Sequence, residues 1–193
     1  MNQSASAYLS ESLDQTAALL PGVRAMAPQV DEMAAMLTGC WNAGGKVMFA
    51  GNGGSAADAM HFAEELVVRY RRDRRGLAAM AFLDPTSVTC AGNDMGYDHI
   101  FSRQIEALGK PGDVFVGLTT SGNSTNVAMA FELAKKQGLK TVGFLGKDGG
   151  RCKALVDLAL VVPSPITARV QEMHKLIFHS LCEHIDAWAL GEV

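Results

Sequence analysis

Short runs of consecutive apolar residues alternate with longer stretches in which apolar residues recur every three or four positions. The runs are 46–50, 77–83, 113–119, 140–145 and 158–162. A strand that is apolar at every position is covered on both faces, which is the environment of a parallel sheet. Between the runs, the helical period predicts helices over 56–69, 125–137 and 167–190. Strand and helix in alternation predict an α/β fold, a doubly wound three-layer sandwich built on a five-stranded parallel sheet. Ahead of it, apolar spacing predicts one helix over 10–20, stopped at Pro21-Gly22, and a second over about 24–42. In the second, Met26, Val30, Met33, Met36 and Leu37 form one stripe, as expected of core or an oligomer interface. The whole reads as a single domain, with residues 1–45 as helices for packing and oligomerisation and 46–193 as the α/β core.

Composition narrows this. A chain of 193 residues that is 48% apolar and 19% charged can bury a core, which excludes a disordered polymer. No apolar stretch approaches the ~18 residues that a membrane span needs. The formal net charge of −3 argues against general nucleic-acid binding. The first residues lack a basic stretch leading into an apolar one, and Cys40, Cys90, Cys152 and Cys182 have no metal-site or disulfide spacing. The expectation is reduced thiols in a cytoplasm. The five arginines of 69–75 read as a solvated helix end and loop for Arg71, Arg72, Arg74 and Arg75, with Arg69 set apart on the Glu65 face.

Ligands of such sheets bind beyond the carboxyl ends of the strands. Two strand ends here carry small, hydroxyl-rich loops that open helices: Gly51-Asn52-Gly53-Gly54-Ser55 and Thr119-Thr120-Ser121-Gly122-Asn123-Ser124. Glycines let backbone N–H groups approach an anion, and a helix N-terminus adds free donors and positive dipole. Neither loop is followed by Lys-Ser/Thr, so the pattern is not that of a nucleoside triphosphate site and suits a phosphomonoester on a small molecule. Ser55 and Ser124 are also expected to cap their helices. Gly51-x-Gly53-x-x-Ala56, with Asp84 as a ribose-binding acid, keeps a dinucleotide site as a rival. His61 and Glu65, four apart, share one face of the helix that begins at the first loop. His179 and Gln171 lie beside the buried stripe of the last helix, formed by Val170, Met173, Leu176, Ile177, Leu181 and Ile185.

Together, residues 51–66 with Arg69, 91–94, 101–109, 112–124, 146–150 and 168–174 with His179 closely resemble the sugar isomerase (SIS) domain family, over nearly the whole chain. Within it they resemble the branch that interconverts sedoheptulose 7-phosphate and D-glycero-D-manno-heptose 7-phosphate, toward the heptose of bacterial surface polysaccharide. The resemblance implies one zinc ion per subunit, held by His61, Glu65, Gln171 and His179. It implies substrate contacts at Asn52, Gly53, Gly54, Ser55, Asn93, Asp94, Thr119, Thr120, Ser121, Ser124 and Gln171, with Arg69 near the sugar or a neighbouring subunit. Glu65 and His179 take the acid and base roles. Thr119 stands where the family more often has Ser, and Ala168 where some members carry Asp. A small phosphosugar is the implied partner, with neither nucleic acid nor membrane.

If Gln171 and His179 share one continuous helix, eight residues separate them by roughly 12 Å of rise. Either Gln171 then lies in an irregular first turn, or the two come from different subunits. A homo-oligomer, a tetramer by resemblance, with composite active sites is therefore expected. The rival within the family is a non-enzymatic SIS protein that binds the bacterial replication initiator.

Overall fold

The computed structural model describes residues 4–193. Five parallel strands, β1 (Val47–Gly51), β2 (Ala79–Ala81), β3 (Val114–Thr119), β4 (Lys140–Gly146) and β5 (Leu158–Val162), form one sheet in the order β2-β1-β3-β4-β5. The expected doubly wound sandwich is the one found. Every residue of β1 and β3 is buried, so their unbroken apolar sequence serves two cores at once. Val47 and Phe49 point into one core and Met48 and Ala50 into the other, as the alternation of a strand requires.

The first core lies under α2 (Ala27–Asn42), α3 (Gly54–Val67) and α7 (Thr167–Ala189), which contribute Met33 and Leu37, Phe62 and Leu66, and Phe178 and Leu181. The second lies under α4 (Pro85–Asp94), α5 (Ser102–Leu108) and α6 (Thr125–Lys136), with Ala91, Ile105 and Phe131. The direction of strand order reverses between β1 and β3, which pair with Gly51 opposite Leu118. The glycine loop that follows β1 and the hydroxyl loop that follows β3 therefore open side by side at the switch point.

Four helices differ from expectation. The first helix, α1 (Ala5–Arg24), runs straight through Pro21. Proline removes one intrahelical donor, and the carbonyl it leaves, on Ala17, belongs to an exposed residue that water can satisfy. α3 stops at Val67, so Arg69 does not continue its face. α4 and α5 carry too little apolar periodicity to be read. α4 buries Ala91 alone, and its signature is the Asp84-Pro85 start, where the Asp84 carboxylate accepts from the Ser87 N–H at 2.8 Å. That role as a helix cap removes Asp84 from the dinucleotide reading.

The buried His174 ties α7 to the sheet. Its Nε2 donates to the carbonyl of Leu145 at 3.1 Å, and its Nδ1 has no partner. Burial lowers its pKa from 6.5 to about 4. Between those values the unfolded chain binds a proton that the folded chain refuses. Stability therefore rises with pH across the window, is complete above pH 6.5 and is lost as pH falls toward 4. The loss is expected to be about 3 kcal/mol by pH 4. Urea unfolding at a series of pH values checks this, since His174→Gln should flatten that part of the profile.

Candidate active site

A small polar cavity of about 180 Å³ sits where β1 and β3 end, lined by Asn52, Gly54, Ser55, Thr119, Thr120, Ser121, Ser124, Thr167 and Gln171. Three helices start on it without any side chain capping their first turns: α3 from Gly53, α6 from Ser124 and α7 from Ile166. Ser55 lies inside its helix instead of at its cap. Ser124 holds the cap position of α6, but its hydroxyl turns to Thr119 Oγ1 at 2.9 Å. Both serines thus depart from the expected capping role. The consequence is a cluster of free backbone donors and helix-dipole ends around hydroxyls that can all donate, an arrangement that suits an anion.

Asn52 is fixed by two residues that the sequence reading passed over. It exchanges hydrogen bonds with the buried Asn126, each at 2.9 Å, and its Oδ1 also accepts from the Tyr97 hydroxyl at 2.8 Å. Asn126 had no signal beyond following the hydroxyl loop, and Tyr97 had none. Gly54 faces the Gln171 amide so closely that a Cβ there would overlap it. Gly122, at φ +67°, lies against the backbone of Gly149. The third glycine loop, 146–150, accordingly braces the hydroxyl loop from behind and does not line the cavity. Asn93 and Asp94 also stay outside it. They are exposed at the end of α4, where Asn93 Nδ2 donates to Asp94 Oδ1 at 2.7 Å.

Farther along α3 and α7, His61, Glu65 and His179 come together, with a ligand atom of each within 4.8 Å of the others. His61 Nε2 and Glu65 Oε1 are 3.0 Å apart. The rings of His61 and His179 meet edge-on with centroids 5.2 Å apart. His179 Nε2 is buried with no hydrogen-bond partner among the described residues. Two imidazoles and a carboxylate, one nitrogen left orphaned, form a donor set that suits a divalent transition ion such as zinc.

Known proteins of similar sequence and structure show the family. The profile of the SIS domain family matches residues 12–146. The phosphoheptose isomerase of Paramagnetospirillum magneticum is 57% identical over 148 residues, 76% of this chain and 77% of that one. That of Trichlorobacter lovleyi is 46% identical over 95% of both chains. The solved structure of phosphoheptose isomerase GmhA from Neisseria gonorrhoeae superposes with a TM-score of 0.90 at 37% identity, covering 95% of this chain and 100% of that one. The chain belongs to the phosphoheptose isomerase family. Its fold is the SIS domain, and it is a phosphosugar isomerase. The initiator-binding alternative gains no support from these relatives.

Within this member of the family, Gln171 stands apart from the three-residue cluster. α7 is continuous from Thr167 to Ala189, so the irregular first turn is excluded and Gln171 faces Gly54 and the anion cavity of its own chain. The basic run is also not uniformly solvated. The Arg74 side chain is 0% exposed and pairs with Asp186, whereas Arg69 is exposed.

Gly54→Ala would push the Gln171 amide, the far end of a flexible side chain, off its seat at the cavity wall. Isothermal titration with inorganic phosphate should show affinity weakened about tenfold, the loss of one charge-assisted contact. Unchanged affinity would place the anion elsewhere.

Proposed function

We propose that the chain interconverts sedoheptulose 7-phosphate and D-glycero-D-manno-heptose 7-phosphate through an enediol, in the cytoplasm, supplying heptose for bacterial surface glycans such as lipopolysaccharide. The observation that carries this is the pairing of two sites along α3 and α7: a polar anion cavity at their N-terminal ends, and a proton-transfer cluster about two turns on. The phosphate rests on the first turns of α3 and α6, among Thr119, Ser121 and Ser124. The opposite end of the seven-carbon chain then lies toward His61, Glu65 and His179.

Ketose-to-aldose conversion removes a proton from C1 while O2 gains one, giving the enediol. A proton then returns to C2 as O1 releases its own, leaving an aldehyde at C1. Glu65 is the group that takes and returns the carbon proton, and His179 serves the oxygens. Held close by His61, the Glu65 carboxylate is kept aimed at the substrate. His61, Glu65 and His179 would hold a zinc ion, which when bound polarises the carbonyl and stabilises negative charge on oxygen. Cys40, Cys152 and Cys182 are buried free thiols, in keeping with a reducing compartment.

Along the continuous α7, eight residues put Gln171 roughly 12 Å of rise from His179, and we assign the fourth zinc ligand implied by resemblance to Gln171 of a second copy in a homotetramer. Support comes from α1, none of whose residues is buried while Tyr8, Leu9, Leu13 and Leu20 are exposed. An apolar helix face of this extent suits a partner surface. Arg69, exposed just beyond α3, and Asn93 and Asp94 are positioned to reach a substrate or a neighbour in that assembly.

A time course of sedoheptulose 7-phosphate followed by NMR should show aldose formation by the wild type, with Glu65→Gln and His179→Gln each slowed by about 10² or more. Undiminished turnover in both variants would refute the assigned roles. Light scattering alongside the assay should find activity only in the oligomer, and a fully active monomer would contradict the composite site.

A further inference from the structure

The nine residues from Val68 to Gly76 leave α3 without regular structure, yet they are held by an unusually dense set of buried bonds. Arg74 is the centre. Its Nε donates to Asp186 Oδ1 at 2.9 Å, one terminal nitrogen donates to the carbonyl of Leu66 at 2.8 Å, and the other to the carbonyl of Glu65 itself at 2.8 Å. A guanidinium at the C-terminal end of α3 satisfies carbonyls that the helix leaves open and complements its negative dipole end. The second oxygen of Asp186 accepts the backbone N–H groups of Arg71 and Arg72 at 3.0 and 3.1 Å. Asp186 lies on α7, seven residues beyond His179. One buried ion pair therefore fastens the end of the helix that carries Glu65 to the helix that carries His179.

The same fastening delivers an aromatic ring. Tyr70 stacks on His179 with centroids 5.4 Å apart and planes 25° apart. The Arg71 guanidinium covers Tyr70 at 5.3 Å and is itself paired with Glu183 of α7 at 2.7 Å. His179 is thus enclosed between Tyr70 and the edge-on ring of His61.

We infer that Tyr70 and Arg74 are positioning residues of the isomerase: the 68–76 segment, bolted by Arg74 to Asp186, stacks Tyr70 against His179 and so fixes that ring's orientation toward His61 and Glu65. This rests on the reading of the three-residue cluster as the metal and proton-transfer site. The Tyr70 ring is the working part, because its face does the stacking against His179.

The test uses the full chain as wild type, Tyr70→Phe, Tyr70→Ala and Arg74→Lys, with two readouts: steady-state kinetics on sedoheptulose 7-phosphate, and titration of the metal-free protein with cobalt(II), whose visible absorption reports ligand geometry. Tyr70→Phe should match wild type within about twofold in kcat. Tyr70→Ala should lose about tenfold in kcat and in cobalt affinity, with an altered cobalt spectrum and KM nearly constant, the size expected for a support behind a metal ligand. Arg74→Lys keeps the charge but loses the fork, and should show the same signature along with a lower Tm. If Tyr70→Ala keeps wild-type kcat and spectrum, the inference falls. It also falls if Tyr70→Phe is as impaired as Tyr70→Ala. A wild type that turns over without binding cobalt would count against the metal reading alone, and the kcat ratio of the Tyr70 variants would still decide the positioning role.

Discussion

Phe62 of α3 and Phe178 of α7 stack face to face, 3.8 Å apart and within 8° of parallel, and the site depends on that contact. Phe62 follows His61 and Phe178 precedes His179, so the stack sets how the two helices meet at the polar cluster. The same register places Asp58 opposite Lys175, 3.1 Å apart, and Gly54 opposite Gln171. Phe49 beneath the stack and Phe144 beside it keep both rings at fixed depth on the sheet. A close-packed interior tolerates little sliding, so sub-ångström placement of the chemical groups follows from apolar packing.

Two lengths of helix are therefore put to two uses. In the proposed function, their N-terminal turns offer backbone donors to the phosphate and the next turns offer side chains to the reacting carbons. On that proposal a phosphosugar lying along this axis would be held at one end and transformed at the other, with binding energy from the phosphate available to orient a distant carbon. The Arg74–Asp186 pair closes the far end of the same helix pair. Packing, anion binding and the buried ion pair are three fastenings spaced along one interface.

Much of this was legible in the sequence because it rests on local rules. Unbroken apolar runs can be read as buried parallel strands, and loops of glycine and hydroxyls after them as anion sites. The i,i+4 spacing of His61 and Glu65 puts them on one face whatever the rest of the chain does. What could not be read depends on residues far apart meeting. Asn126 and Tyr97 matter only because they reach Asn52. Arg74 looks like any arginine in a basic run until Asp186, 112 positions on, is seen beside it. The loop at 146–150 has the composition of a ligand loop but packs behind Gly122. For Gln171 and His179 the sequence left two options open, and the continuity of α7 removes the irregular first turn.

The central claim, that one helix pair anchors phosphate at one end and gathers the metal and proton-transfer groups at the other, is tested most directly by a crystal structure of the protein with sedoheptulose 7-phosphate, with anomalous diffraction measured at the zinc edge. The account predicts phosphate density against Ser55, Thr119, Ser121 and Ser124, C1 and C2 beside Glu65 and His179, and an anomalous peak among His61, Glu65 and His179. Phosphate bound away from the first turns of α3 and α6, or an anomalous peak away from those three side chains, would contradict it.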